Sequence, residues 1–241
     1  MPVVDVALLP EHLTQHAINT HTLIVVDVLR ASTTIISALD AGAKQIHPVL
    51  EIEDAFAAAK SIQDAILCGE RHGVPQDGFH LGNSPAEYTP DIVQGQTLVL
   101  TTTNGTRALS MLGESSVVLI GAITNRTAVC TAASGFMADI TIICAGTTGA
   151  VSLDETIAAG LMITCLNHLG YQSTETAQII DRSTKQIITE TGTIESALRS
   201  TRHAYRLQEL GMTHDVQLAA RLDSSNSVPR YNPKNRTISL T

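Results

Sequence analysis

The chain has 241 residues, of which 44% are hydrophobic and only 3% aromatic, and its formal net charge is −8. This length and hydrophobic content are enough for a sizeable core in one large domain or two small ones. The negative charge argues against a nucleic-acid or membrane-surface partner, but a small anionic ligand is compatible with it because local groups decide such binding.

The spacing of the cysteines and the lengths of the apolar runs indicate where the protein is located. The four cysteines are far apart and form no C-x-x-C pair, which predicts reduced thiols. Residues 1–13 lack a basic region followed by an apolar run, and no apolar stretch approaches the roughly 20 residues of a membrane-spanning helix. We therefore expect a cytoplasmic protein without a membrane segment.

The first strong pattern is a strand, a turn and a helix. Residues 3–9 predict a short strand, and the β-branched run 22–28 predicts a buried one. A helix with apolar spacing follows to about Leu39, and Gly42 is a natural stop for it. The turn between the second strand and this helix becomes the first candidate site.

Asp27 and Arg30 fall in that turn. A helix N-terminus favours anions, and the arginine offers a planar fork for an oxyanion. The carboxylate could hold a divalent cation through oxygen. We predict an anion site beside a carboxylate here; the alternative is a turn-forming Asp and a surface Arg.

Further along, residues 45–49 predict a strand, residues 51–60 a helix and residues 65–68 a brief apolar run. Residues 69–87 predict a long loop with four glycines and two prolines. Such loops are often functional, although a solvated surface excursion is the alternative.

A second turn rich in hydroxyl and amide groups follows the predicted strand 97–101. It carries Thr102, Thr103, Asn104 and Gly105, and then a helix that we expect to end at Gly113. This composition at a helix N-terminus predicts another anion cradle; an ordinary Asn-Gly turn is the alternative.

The remaining elements alternate in the same way up to residue 170 and are helical beyond it. The pattern predicts strands at 117–120 and 140–143, helices at 125–136, 153–168, 174–190, 194–210 and 213–222, and an edge strand at 236–240. Asp154 and Glu155 lie in the first turn of the helix 153–168, where carboxylates suit the helix dipole.

Four predicted strands end in small polar residues, at 27–34, 101–106, 121–125 and 144–149. Ligands of open α/β sheets bind outside the carboxyl ends of strands, so we expect these turns to converge on one pocket. The fold prediction is α/β, a three-layer α/β/α arrangement with a largely parallel or mixed sheet and a helical C-terminal part. We predict one unit over residues 1–241, or two lobes that change character near residue 170.

Several blocks of this sequence resemble the 2-phosphosulfolactate phosphatase family of coenzyme M biosynthesis. The blocks are 25–35 (VVDVLRASTTI), 69–71 (GER), 78–85 (GFHLGNSP), 101–106 (TTTNGT) and 144–146 (CAG). They occur in the family's order. The resemblance implies an α/β/α enzyme, in a homo-oligomer for which we expect a dimer. It also implies magnesium-dependent hydrolysis of (R)-2-phospho-3-sulfolactate to 3-sulfolactate and phosphate.

The resemblance also implies roles for residues. The candidates for binding Mg²⁺ are Asp27, Glu70, Asp154 and Glu155, and those for catalysis are Asp27, Arg30 and Glu70. The candidates for binding the anionic substrate are Ser32, Thr33, Arg71, Asn83, Ser84, Thr103, Asn104, Gly105 and Thr106. Arg71 is expected to pair with the second anionic group.

Two assignments stay open. In the family an aromatic and Ser-Leu-Glu-Asp follow the CAG block, whereas Asp154 precedes Glu155 here and the aromatic is missing, so either carboxylate could face the site. Asp27 could be a nucleophile or a metal ligand, and Leu29 stands where haloacid-dehalogenase phosphatases carry their second Asp. Cys144 lacks the C-x₅-R loop of cysteine phosphatases and is expected to be a buried, inert thiol.

Two other functions are compatible with these residues. One is a phosphatase for another phosphorylated 2-hydroxy acid, and the other is a non-catalytic binder of an anionic metabolite. A magnesium requirement for turnover would separate the enzymes from the binder.

Overall fold

The computed structural model describes residues 1–112 and 117–240. The strands are β1 (Val3–Ala7), β2 (Thr22–Val26), β3 (Gln45–Pro48), β4 (Ile66–Arg71), β5 (Val74–Pro75), β6 (Thr97–Thr101), β7 (Val117–Gly121), β8 (Ile140–Cys144), β9 (Gln172–Ser173), β10 (Pro229–Asn232) and β11 (Thr237–Leu240). The helices are α1 (Gln15–Thr20), α2 (Ala31–Asp40), α3 (Ile52–Ser61), α4 (Pro90–Val93), α5 (Gly105–Ser110), α6 (Arg126–Ser134), α7 (Leu153–His168), α8 (Glu175–Thr191), α9 (Ile194–Arg199), α10 (Arg202–Glu209) and α11 (Thr213–Ala219).

The strands form one mixed sheet in the order β5-β4-β6-β3-β11-β10-β7-β2-β8-β1-β9. One parallel block contains β7, β2, β8, β1 and β9, and a second contains β3, β6 and β4. The prediction of an α/β fold with a largely parallel or mixed sheet is confirmed.

A C-terminal hairpin joins the two blocks. β10 pairs antiparallel with β7 and with β11, and β11 pairs antiparallel with β3. Three reversals in succession make the block of β3, β6 and β4 run opposite to the block of β2. β6 therefore ends at the opposite edge of the sheet from β2. The turns after β2, β6 and β8 nevertheless line one cavity, as predicted, whereas residues 121–125 do not line it.

The sheet curls enough to bring the two blocks back together at one place. Along the sheet, β2 and β6 are five strand positions apart, a distance of about 24 Å if the sheet were flat. Yet a Cβ on Gly105, just past β6, would lie 2.9 Å from Asp27 Oδ2, just past β2. The turns after these two strands are in contact.

Two hydrophobic clusters cover the faces of β2. Side chains alternate along a strand, so Ile24 and Val26 pack in the cluster with α6, α7 and α8, whereas Leu23 and Val25 pack in the cluster with α2, β3 and β6. Gly160 lets α7 and α8 approach closely, since a Cβ there would lie 2.1 Å from Thr184 Oγ1.

Several predicted boundaries are wrong in ways that matter for the site. The run 65–68 is the start of β4, which extends to Arg71, so Glu70 and Arg71 lie in a strand and not in a loop. Residues 194–210 form two helices, α9 and α10, because Thr201 caps a new helix by accepting a hydrogen bond from the Ala204 N–H at 3.2 Å.

Short elements without a strong apolar period were not predicted, namely α1, α4, β5, β9 and β10. The expected helix stop at Gly113 lies outside the described residues; α5 ends at Ser110. Within the described ranges, no helix combines the length and the apolar character needed to cross a bilayer.

Candidate active site

A cavity of about 490 Å³ lies where the turns after β2 and β6 meet the end of β4 and the starts of α7 and α10. The polar and charged side chains that line it are Asp27, Arg30, Glu70, His72, Asn83, Thr103, Asn104, Thr147, Thr148, Ser152, Asp154, Ser200, Thr201, Arg202, His203 and Arg206. Both parallel blocks and the C-terminal helices contribute to it.

Asp27 directly follows β2 and is 5% exposed. Its Oδ1 accepts a hydrogen bond from the Ala31 N–H at 3.2 Å, and its own N–H donates to Ser32 Oγ at 2.9 Å. These bonds fix the carboxylate at the start of α2. Gly105 packs against it, and the close approach requires glycine because a Cβ would overlap the carboxylate.

Burial raises the pKa of Asp27 to about 6. His203 and the hydrogen bond from Ala31 oppose this shift, whereas Asp154 and Glu70 add to it. The site thus places several carboxylates in a water-poor environment, where a bound cation would be strongly favoured.

Glu70 connects two turns at the cavity wall. Its Oε1 accepts a hydrogen bond from the Thr103 N–H at 2.9 Å, and its Oε2 accepts from the Gly73 N–H at 2.5 Å and from Thr103 Oγ1 at 3.2 Å. These contacts give Glu70 a clear role in positioning the turn after β6.

Asp154 is 1% exposed and begins α7. Its Oδ1 accepts a hydrogen bond from Ser152 Oγ at 2.5 Å, but its Oδ2 has no hydrogen-bond partner among the described residues. Buried polar atoms are rarely left unpaired. An oxygen that lines a cavity in this state is suited to hold a cation.

His203 of α10 faces Asp154, with its Nδ1 3.5 Å from Asp154 Oδ2. This distance is within the range of an ion pair, but the two atoms do not form a hydrogen bond. Burial lowers the pKa of His203, but interaction with Asp154 and with Asp27 outweighs burial, so the net shift is upward. The neighbouring carboxylates therefore favour the protonated form of His203.

Glu155 is buried, with only 1% of its surface exposed, and it does not line the cavity. Its Oε2 accepts a hydrogen bond from the Gly146 N–H at 2.7 Å. Burial and the carboxylates of Asp27 and Asp154 raise its pKa well above the usual range. Of the two adjacent acidic residues, the structure places Asp154 at the cavity.

Arg30 lines the cavity, but its guanidinium is largely engaged. Nη1 donates to Asp215 Oδ2 at 2.8 Å and contacts Met212 Sδ at 2.8 Å, and Nη2 donates to the Gly73 carbonyl at 3.0 Å. Its planar fork thus joins three chain segments.

Several predicted anion donors are engaged in backbone hydrogen bonds outside the main cavity. Ser32 Oγ accepts from Asp27, Thr33 Oγ1 donates to the Val28 carbonyl, and Thr106 Oγ1 donates to the Thr102 carbonyl. These hydroxyls stabilise the two turns in their present conformation.

Arg71 also points elsewhere, since its Nη2 donates to the Leu50 carbonyl at 2.5 Å and to Thr101 Oγ1 at 2.8 Å. Cys144 is fully buried, and burial raises the pKa of its thiol well above the usual range.

The other predicted donors lie at or beside the cavity. Thr103, Asn104 and Asn83 line it; Asn104 Oδ1 accepts from the Thr148 N–H at 3.2 Å, and Asn83 Oδ1 is buried without a partner in the described part of the chain. Ser84 lies behind the cavity wall and donates to Asp215 Oδ1 at 2.5 Å.

Sequence reasoning missed the contribution of α10 and α11, which includes Arg202, His203, Arg206 and Asp215. Residues 194–210 were interpreted only as one long helix with an apolar face, and the helix predicted at 213–222 was given no part in the site. The Ser200-Thr201 pair, a typical N-cap signal before a basic run, could have revealed the break and the charged face.

No group of three or more His, Cys, Asp or Glu side chains is arranged to hold a metal alone within residues 1–112 and 117–240. Mg²⁺ needs fewer protein ligands, since it keeps several waters and shares substrate phosphates. The unpartnered Asp154 Oδ2 and the buried Asp27 carboxylate fit such a site.

Residues 7–234 match the family model described as 2-phosphosulpholactate phosphatase. The chain is 35% identical to a protein of Clostridium acetobutylicum over 240 residues, covering 95% of this chain and 97% of the relative. It is 34% identical to one of Clostridium tetani, with 95% and 97% covered. It is 35% identical to one of Caldanaerobacter subterraneus subsp. tengcongensis, with 86% of each covered. All three relatives are named probable 2-phosphosulfolactate phosphatase.

Proposed function

The chain belongs to the 2-phosphosulfolactate phosphatase family, and from that membership we propose that it hydrolyses (R)-2-phospho-3-sulfolactate to 3-sulfolactate and phosphate with Mg²⁺. The observation that carries the proposal is the cavity itself. Three buried carboxylates, Asp27, Glu70 and Asp154, line it together with cationic side chains of α10. A site that only bound anions would have little use for these carboxylates.

Asp154 would hold the magnesium ion, because it is buried at the cavity and its Oδ2 accepts no hydrogen bond among the described residues. Asp27, which is also buried there, would be a second ligand unless it is the nucleophile. When bound, the ion supplies positive charge to the phosphoryl oxygens. Glu70, whose oxygens are occupied by Gly73 and Thr103, positions the turn after β6 beside Asp27.

The remaining polar groups bind and orient the substrate. Asn83 and Asn104 present amide groups at the cavity, and Arg30 holds the wall through Asp215 and the Gly73 carbonyl. Asp27 takes one of two roles, as the nucleophile that accepts the phosphoryl group or as a magnesium ligand. Borohydride reduction of a quenched reaction distinguishes them, because an aspartyl phosphate would be converted to homoserine at position 27.

The test is phosphate release from a panel of phosphorylated small acids, with magnesium and with a chelator. We expect release from 2-phosphosulfolactate that requires magnesium and is abolished in Asp27→Asn. Release from another phosphorylated 2-hydroxy acid instead would change the assigned substrate and leave the assigned reaction, hydrolysis of a phosphate ester, unchanged. Binding without release in the wild type, retained in Asp27→Asn, would instead indicate the non-catalytic binder.

Assembly as a homodimer, a cytoplasmic location and a place in coenzyme M biosynthesis remain predictions. Native mass spectrometry of the purified protein would check the first of them.

A further inference from the structure

We propose that Arg202 and Arg206 of α10 form a subsite that binds the sulfonate of the substrate. This inference rests on the proposed function and assigns the specificity of the same site. It gives the C-terminal helices a part in recognition that neither the family model nor the names of the relatives assign.

The charge distribution of the cavity favours such a subsite. Asp27, Glu70 and Asp154 repel a substrate that carries a phosphate, a carboxylate and a sulfonate. Arg30 is occupied by Asp215 and the Gly73 carbonyl, and Arg71 is directed to Leu50 and Thr101 outside the cavity. Positive charge for the sulfonate would therefore come from another element that lines the cavity.

Helix α10 supplies it. Arg202 and Arg206 are four residues apart, so they share one face of the helix, and both line the cavity. His203 sits between them in sequence and contacts Asp154, which fixes this face next to the carboxylates.

Both arginines are available for a ligand. No hydrogen bond or ion pair engages the Arg202 side chain within the described ranges of the chain. Among the described residues, the one hydrogen-bond or ion-pair partner of the Arg206 side chain is Glu209, at 3.2 Å, and both side chains of this pair are more than half exposed. Such exposed pairs are weak and are readily exchanged for a ligand oxyanion. A guanidinium also matches the several oxygens of a sulfonate with two parallel donors.

The experiment compares kcat/KM for 2-phosphosulfolactate and for 2-phospholactate, which lacks the sulfonate. We expect Arg202→Gln and Arg206→Gln each to lower kcat/KM about 10- to 100-fold for the sulfonated substrate, mainly through KM, as for loss of a charge-assisted hydrogen bond. For 2-phospholactate the change should stay within about threefold, and Arg202→Lys should restore part of the loss. The matched control is Arg199→Gln, because Arg199 pairs with Glu195 and does not line the cavity.

An equal loss for both substrates, or no loss for either, would overturn the subsite. Circular dichroism and the unfolding midpoint identify any variant that fails to fold. If one arginine variant does not fold, the other still tests the subsite.

Binding separates this inference from the proposed function. Calorimetry on the full chain should find that 3-sulfolactate binds more tightly than lactate and that Arg202→Gln removes the difference. If the wild type releases no phosphate but shows this preference, the phosphatase proposal fails and the subsite stands. If phosphate is released and the variants keep full discrimination, the subsite is wrong and the phosphatase stands.

Discussion

Three buried acidic residues of similar chemistry differ in what their side chains face. Asp27 and Asp154 face the cavity, and Glu155, next to Asp154 in sequence, is turned to the backbone of Gly146. All three are nearly inaccessible to solvent. Repulsion between these carboxylates lowers the stability of the folded protein when no cation is bound, as is common at functional sites.

The first prediction concerns the stability cost of Asp27. Its pKa lies at about 6 in the folded protein, against an ordinary 3.8, so between these values the folded state keeps a proton that the unfolded chain has released. The free energy of unfolding therefore falls as the pH rises through this window, and the penalty is complete above the folded pKa. In chelator, Asp27→Asn should be more stable than the wild type at pH 8 by roughly 2 to 3 kcal/mol, and the difference should vanish near pH 4.

Denaturant unfolding at several pH values measures this difference. Asp77→Asn is the control, since it makes the same substitution at an exposed aspartate outside the cavity. A difference between Asp27→Asn and the wild type that is the same at every pH would contradict the burial argument.

The second prediction distinguishes the adjacent carboxylates. Asp154→Asn should lower kcat for phosphate release about 100-fold or more, because it removes a charge at the cavity. Glu155→Gln should keep activity within a fewfold of the wild type, since an amide oxygen can still accept the Gly146 hydrogen bond. Steady-state phosphate release checks both, and a larger loss in Glu155→Gln than in Asp154→Asn would reverse the assignment.

At the scale of elements, the C-terminal helices complete the wall of the cavity. Arg30, after β2, and Asp215, in α11, form an ion pair at 2.8 Å in which both side chains are 3% exposed. Asp215 also accepts a hydrogen bond from Ser84, and Arg30 donates to Gly73. One buried pair thus ties α11 to the turn after β2, to Gly73 between β4 and β5, and to Ser84.

The third prediction tests this connection. Asp215→Ala leaves the Arg30 charge buried without its partner, so we expect it to lower the free energy of unfolding by about 3 to 5 kcal/mol. Lys185→Ala removes an exposed pair with Asp181 and should cost less than about 1 kcal/mol. Urea denaturation of the two variants provides the comparison, and similar losses in both would show that burial does not matter for the Arg30 pair.

At the scale of the whole molecule, the sheet joins segments from both ends of the chain. The hairpin of β10 and β11 lies between β7 and β3 and is the link between the two parallel blocks. The change of character near residue 170 therefore does not coincide with a break in the sheet, because residues beyond it supply β9, β10 and β11.

The fourth prediction follows from that continuity. We expect one cooperative thermal transition for the full chain, with the calorimetric enthalpy equal to the van't Hoff enthalpy. Two separated transitions would support two lobes instead of one unit. Replacing Ile238, a fully buried residue of β11, by Ala should lower the midpoint of the whole transition and not of a part of it.

The sequence by itself determined the local elements and the chemistry of the turns. The β-branched run before Asp27 and the helical spacing after it predict β2 and α2, because period and propensity are local properties. The sequence also predicted the Asn104-Gly105 turn. Its tight packing against Asp27 depends on a sheet that curls, and no local pattern encodes that.

The tertiary structure alone decided which polar residues meet. It brought Asp154 and not Glu155 to the cavity, directed Arg30 to Asp215, and added His203, Arg202 and Arg206 from helices interpreted only by their apolar faces. The physical reason is that side-chain partners here are separated by up to 185 residues, as in the Arg30–Asp215 pair. Such contacts depend on how distant segments pack together and bury their charges. Local sequence patterns do not encode that packing.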